Sequence, residues 1–215
     1  MSFTEDVLDL IFPPECLICR TEGHWWCQQT PPPWPRCLNC DAPYIYDQSG
    51  RCRHNQPLFA VGHYDGPLRE AIHRYKYTGY WAISRDWAKG ISATISSVAQ
   101  PGDQLVPIPL HWTRQLRRGY NQAEIFARYL SRFTKLEVAQ ILKRHRRTRP
   151  QIELETEARA SNLHGALSTR IKNQPSSVWL VDDISTSGAT LKEARRVLRA
   201  AGFTVRGAIV IGLAK

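Results

Sequence analysis

Cysteine is confined to the front of this 215-residue chain: all six fall between Cys16 and Cys52, and none follows through Lys215. A disulfide framework is therefore excluded for most of the molecule. No apolar run approaches the length needed to cross a bilayer. Residues 1–12 lack the basic start and long apolar stretch of an export signal, reading instead as a short amphipathic helix, so the cytoplasm is the expected compartment. No Gly-Lys-Ser/Thr loop and no Gly-x-Gly-x-x-Gly fingerprint occurs, which disfavours a Walker-type or Rossmann nucleotide site. There is no internal repeat, and nothing suggests a nucleophilic triad.

What is present is uneven. The net charge is +10, and residues 110–149 hold 11 Lys/Arg against 2 acids, Glu124 and Glu137. Such a concentration suits a polyanion (a phosphate ester, pyrophosphate or nucleic acid) or else a solvated surface. At the front, Cys16-x2-Cys19 and Cys37-x2-Cys40 stand 17 residues apart. In a reducing compartment that spacing suits a tetrahedral, structural Zn²⁺ held by Cys16, Cys19, Cys37 and Cys40, with reduced or oxidised thiols as the alternative. Cys27 and Cys52 are left over, with His24 and His54 nearby in sequence, each an ordinary loop histidine on the simpler reading.

The composition shifts near Gln56, dividing the chain into a small cysteine-rich module, 1–56, and a larger domain, 57–215. In the larger part strand-like and helix-like stretches alternate. Phe59–Tyr64 reads as a strand, followed by a helix with Leu68, Ala71, Ile72 and Tyr75 on one face and Gly79 at its end. Trp81–Val98 is helical but interrupted by Gly90. Leu105–Pro109 is a strand exiting into a loop, Asn121–Phe133 a helix, and Leu136–Leu142 an ambiguous strand. Val178–Val181 is a strand buried on both faces, Thr190–Ala201 a helix capped by Gly202, and Val205–Leu213 the last strand. A strand–helix–strand unit with short connections implies an α/β fold with a mainly parallel sheet.

"VWLVDDISTSGAT", Val178–Thr190, carries the chemistry. In an open α/β sheet ligands sit beyond the C-terminal strand ends, where Asp182 and Asp183 fall. A small hydroxyl-rich turn then opens a helix whose N-terminus attracts an anion. Carboxylates repel phosphate, so the acid pair must serve something else: sugar hydroxyls, or Mg²⁺ directly or through water. Phosphate on one side and hydroxyls or metal on the other describes a ribose 5-phosphate. A strand end followed by a helix cap would explain the residues singly, but a cap needs one hydroxyl and no acid pair.

This string resembles the phosphoribosyl pyrophosphate (PRPP) signature of type I phosphoribosyltransferases. With "FPPECLICR", "YDGPLREAIHRYKYTG", "VPIPLHWTRQLRRGYNQAEIFARYL" and "RPQIELETEARASNLHGAL", the chain is similar to the ComF/GntX group of competence-linked proteins within that superfamily. "RRGYNQAE" is the specific mark of the group. The resemblance implies a phosphoribosyltransferase-like domain behind a double zinc-ribbon-like module that is partly degenerate here, Cys27 and Cys52 lacking their pairs. It implies catalytic roles for Asp182, Asp183 and Lys76, with the acids on ribose hydroxyls or Mg²⁺ and Lys76 near the pyrophosphate. Ser185, Thr186, Ser187, Gly188, Ala189 and Thr190 would hold the 5-phosphate. The loop after Pro109 would lie near the pyrophosphate, and Arg117, Arg118 and Asn121 would form a basic loop close to it or to DNA.

Two activities remain open on this reading. One is pentosyl transfer from PRPP to an unidentified acceptor; the other is a non-catalytic member of the fold working in DNA uptake and natural transformation. The second would bind single-stranded DNA and competence partners, with Trp112, Tyr120, Phe126 and Tyr129 among the basic residues. Helix packing is the competing role for these aromatics, and the preferred one for Phe126. A homodimer is expected only by analogy with the superfamily.

Overall fold

A computed structural model describes residues 15–16, 21–22, 26, 36–37, 56–77, 79–145, 165–171 and 176–214. In chain order the elements are β1 (Arg36–Cys37), β2 (Pro57–His63), α1 (Gly66–Tyr77), α2 (Ile83–Val98), β3 (Gln104–Pro107) and α3 (Trp112–Arg118). There follow α4 (Gln122–Thr134), β4 (Glu137–Val138), β5 (Leu142–Arg144), β6 (Leu167–Thr169), β7 (Ser177–Ser185), α5 (Ala189–Ala200) and β8 (Thr204–Leu213).

The main sheet runs β1-β2-β8-β7-β3-β4, with every pair parallel except β1 against β2. The expected mainly parallel sheet flanked by helices is thus present. Its central strands are apolar along their length because both faces are covered. Val178 and Leu180 pack with Leu191, Ala194 and Leu198 of α5. Trp179 and Val181 face the other way, among Ile72 of α1, Trp87 of α2 and Phe126 of α4. The period of two along β7 therefore feeds two separate cores. A second, two-stranded antiparallel sheet, β5-β6, joins the α5 side through Leu142 and Leu167. Among the described residues no helix is long and apolar enough to cross a membrane.

Several boundaries differ from the sequence expectations. Helix α2 continues through Gly90, which sits on its exposed side where no packed neighbour is lost. The stretch after Pro109 is not all loop: α3 occupies Trp112–Arg118, capped by His111 Nδ1, which accepts from Thr113 N at 3.3 Å. Residues 136–142 supply no single strand, because β4 pairs with β3 whereas β5 belongs to the small sheet. Strand β7 runs past Val181 through both acids to Ser185, since its pairing with β8 continues to Ser185–Leu213.

Part of the front segment is tied to the sheet. β1 extends it at the β2 edge, with Arg36 opposite Leu58 and Cys37 opposite Pro57. Trp26 N donates to Asp86 Oδ2 at 3.1 Å, and its ring meets Trp87 edge-on at 6.1 Å. Buried Cys16 donates its N–H to Thr21 O at 3.0 Å, within a turn closed by a Glu15–Glu22 bridge. Cys19, Cys40, Cys27, Cys52, His24 and His54 lie outside the described residues.

Candidate functional site

The C-terminal ends of β3 and β7 lie side by side, Pro107 opposite Val181, and Ile108 N donates to Val181 O at 2.8 Å. The loop after Pro109 therefore leaves the sheet next to the acid pair. Asp182 and Asp183 stand near the end of β7, adjacent in sequence, and the Asp183 charge acts on Asp182. Asp182 Oδ1 accepts the N–H of Asp183 at 2.8 Å.

Each acid meets a cation from a different layer. Lys76, in the last turn of α1, places its ammonium 2.7 Å from Asp183 Oδ2, with both side chains largely buried (15% and 16% exposed). Arg144, on β5, lies near enough for its charge to act on Asp182. Burial first, and the neighbouring Asp183 charge second, push Asp182 up to about 8 from the ordinary 3.8; the Asp183 N–H, Lys76 and Arg144 pull the other way and do not cancel them. Asp182 thus keeps its proton to a higher pH than an ordinary carboxylate.

Lys76 is held by what precedes it. Tyr75 is fully buried, donates its hydroxyl to Gln122 O at 2.7 Å, and meets Trp87 edge-on at 5.3 Å. Its carbonyl accepts the Tyr120 hydroxyl. Tyr75 thereby locks the end of α1 against α2 and α4, which aims the next side chain at Asp183. Burial raises the Tyr75 phenol well above its ordinary value, so it stays neutral.

After Ser185, whose carbonyl accepts from Ala214 N at 2.9 Å, the chain turns through Thr186–Gly188 into α5. Gly188 has φ 69°, a left-handed conformation that favours glycine, and a Cβ there would find no atom nearer than 3.9 Å. The atoms at that distance are Lys192 Cε and Ser185 Oγ. Lys192 N donates to Gly188 O at 2.9 Å, closing the first helical turn, so the amides of Ala189, Thr190 and Leu191 precede any partner along the helix ladder. Ser187 Oγ is buried and has no hydrogen-bond partner among the described residues. A buried hydroxyl in this position at a helix start suits an anion-accepting turn.

The chain was compared with known proteins. No family model matches it. It is 31% identical over 209 residues to competence protein F of Haemophilus influenzae, covering 87% of this chain and 91% of that protein. This chain belongs to the competence protein F (ComF) family. It is also 30% identical over 183 residues to the DNA utilization protein YhgH of Salmonella typhimurium, covering 79% of this chain and 81% of that one. Among solved structures, adenine phosphoribosyltransferase of Leishmania donovani shares 11% identity over 77% of this chain and 86% of its own, with a TM-score of 0.41, a distant likeness.

The ComF-group mark "RRGYNQAE" proves to be a joint. Gly119 ends α3 with φ 78°, its N–H returning to Gln115 O at 2.7 Å, and the residue is glycine because the turn needs that left-handed step. Tyr120 reaches Tyr75 as described. Asn121 caps α4 by accepting from Ala123 N at 3.2 Å, while its Nδ2 donates to Ile108 O at 3.1 Å. Asn121 is thus spent on backbone, holding the loop after β3 beside the acids. Arg118 donates to Tyr77 Oη and Gln122 Oε1, each at 3.1 Å, and lies on a helix rather than in a basic loop. The Arg117 side chain lies outside what is described.

Arg144 and Tyr75 were not singled out in the sequence. Arg144 sits in the run "KRHRRTR", where only the pairing of β5 distinguishes it from its neighbours; Tyr75 is one of four core positions at helical spacing on α1.

Proposed function

We propose that this ComF-family protein binds PRPP with Mg²⁺ at the end of β7 and serves competence and DNA utilization, the roles carried in its relatives' names. The observation carrying the ligand is the direct succession of the Asp182–Asp183 pair, with Lys76 on it, into a helix start with an orphaned Ser187 hydroxyl. The 5-phosphate takes the amides of α5 and Ser187, with Thr186 and Thr190 beside them. The acids accept the ribose hydroxyls.

The donor set fits Mg²⁺: the Asp182 and Asp183 carboxylates would supply hard oxygen ligands, and a dication held by them would offset their mutual repulsion. When bound, the metal neutralises charge on the pyrophosphate. Lys76, beside Asp183, would offer its ammonium to the same group. If the bond to the anomeric carbon breaks, charge builds on the pyrophosphate and on a cationic ring, so positioning and electrostatics provide the catalysis. Zn²⁺ on Cys16, Cys19, Cys37 and Cys40 is a structural part of the same reading; Cys37 on β1 would then link the metal to the sheet edge.

A second reading, single-stranded DNA as a partner, draws on the charge excess of residues 110–149 and on the relatives' names.

Thermal unfolding on a preparation of measured zinc content tests the first reading. One zinc per chain is expected, with a rise in melting temperature on adding PRPP and Mg²⁺ that the D182N/D183N double variant, still folded, loses. No rise in the unaltered protein, or the same rise in the double variant, overturns the assigned seat.

A further inference from the structure

An α-helix is positive at its start and negative at its end, so acids are favoured in the first turn and bases in the last. Helices α2 and α4 follow this rule, with Asp86 and Glu124 in their first turns. Helix α5 does not. Its first turn holds no acid, and the first charged residue along it is Lys192. Helical side chains tilt back toward the helix start, and residues four apart lie above one another, so Lys192 is directed over Gly188. The side chain does lie there: its Cε is 3.9 Å from where a Cβ on Gly188 would sit, as is Ser185 Oγ.

No acid answers this charge. Lys192 is exposed and makes no ion pair among the described residues. The next residue, Glu193, is engaged elsewhere: its Oε1 accepts from Gly165 N at 2.8 Å, and its Oε2 stands 2.8 Å from Arg196 Nε. Of the acid pair, Asp183 is taken by Lys76 at 2.7 Å. A lysine brought to the positive end of a helix is repelled by it, and an anion between the two turns both contacts favourable. Arg199, in the last turn of the same helix, sits where a cation is ordinarily favoured. The anomaly thus belongs to the end of α5 that the sugar-phosphate seat uses.

We propose that Lys192 is a further phosphate-binding residue of that seat, its ammonium pairing with the terminal phosphate of the sugar from the solvent side of the turn. This deepens the PRPP reading above and rests on it. The class of ligand it selects is a sugar bearing a phosphate monoester. A dianionic phosphate gains most where a full cation is added to the helix amides and the Ser187 hydroxyl, and an unphosphorylated sugar gains nothing from it.

Titration calorimetry on the full chain with PRPP and Mg²⁺, and with ribose 5-phosphate as a competitor, tests it. Lys192→Met should weaken both ligands about tenfold, the low end for a hydrogen bond to a charged group because the ammonium is exposed. Lys192→Arg should recover most of that loss. Arg199→Met, which removes an equal charge from the far end of α5, should lose little. Without ligand, Lys192→Met should melt about 1–3 °C higher than the unaltered chain, since a like charge has left the helix start. If the unaltered chain binds PRPP and Lys192→Met binds both ligands as tightly, Lys192 is no ligand residue and the seat stands without it. Equal losses in Lys192→Met and Arg199→Met would reduce the effect to net charge and overturn the proposal. So would a loss for PRPP alone, or no competition by ribose 5-phosphate at millimolar levels, either of which takes Lys192 off the sugar's phosphate. If the unaltered chain binds neither ligand, the seat itself fails and the proposal with it.

Discussion

A buried acid and a half-buried one at opposite ends of the same sheet show how placement decides a carboxylate's task. Asp103 lies at the N-terminal end of β3, its side chain wholly out of solvent. Asp182 lies at the C-terminal end of the neighbouring β7. Burial would raise both. At Asp103 it is overcome: Oδ2 accepts from Gln100 N and Trp179 Nε1, each at 2.9 Å, Ser177 Oγ donates to Oδ1, and Arg206 Nε stands 3.5 Å away. Its carboxyl is held below the ordinary value. At Asp182 the Asp183 charge adds to burial, and the balance goes the other way. One acid is a satisfied joint between β3, β7 and β8; the other is left wanting a cation, as ligand sites often are.

The largest effect that could break this contrast is at Asp103. Its depressed value means the charged form contributes stability above the unfolded value near 3.8, lost as pH falls through the folded value. Asp103→Ala should lower the melting temperature at pH 7 by about 10 °C, as expected for a broken buried network in a chain of this size. A change under about 2 °C would mean the network holds nothing together.

A smaller, opposite change is expected at Asp182. Its folded form keeps a proton that the unfolded chain has lost between the ordinary 3.8 and about 8, so stability falls as pH rises across that window. Asp182→Asn should therefore gain on the native protein between pH 5 and 8, reaching roughly 5 °C at pH 8, while PRPP binding is lost. A melting curve parallel to the native one at every pH would show that Asp182 is not strained.

Smallest of all is Ser187→Ala. Its hydroxyl makes no bond among the described residues, so stability should move by less than about 0.5 kcal/mol. Titration calorimetry should nevertheless show PRPP binding about fivefold weaker, one hydrogen bond's worth. Unchanged affinity would remove Ser187 from the phosphate.

Much of the fold was legible because it depends on local pattern. The buried positions expected on α1, Leu68, Ala71, Ile72 and Tyr75, are the buried ones. The apolar run of β7 reads as a strand covered on both sides, and it is. Helix α3 was missed because WTRQLRR has no apolar stripe: its Trp112 and Leu116 face solvent, so periodicity has nothing to report. The partners of Asn121, Ile108 O and Ala123 N, are backbone groups that a sequence motif does not reveal.

The residues themselves determined the acid pair, the hydroxyl turn and the parallel βαβ unit, because each follows from neighbours along the chain: strand period, turn chemistry, helix start. Only the folded molecule decided that Lys76, more than a hundred positions away, sits on Asp183 while Arg144 bears on Asp182 from the other side. It likewise decided which aromatics remain in water. Both outcomes depend on how the helix layers close over the two faces of the sheet, and electrostatics and exposure depend on distance in space, which the order of residues does not state.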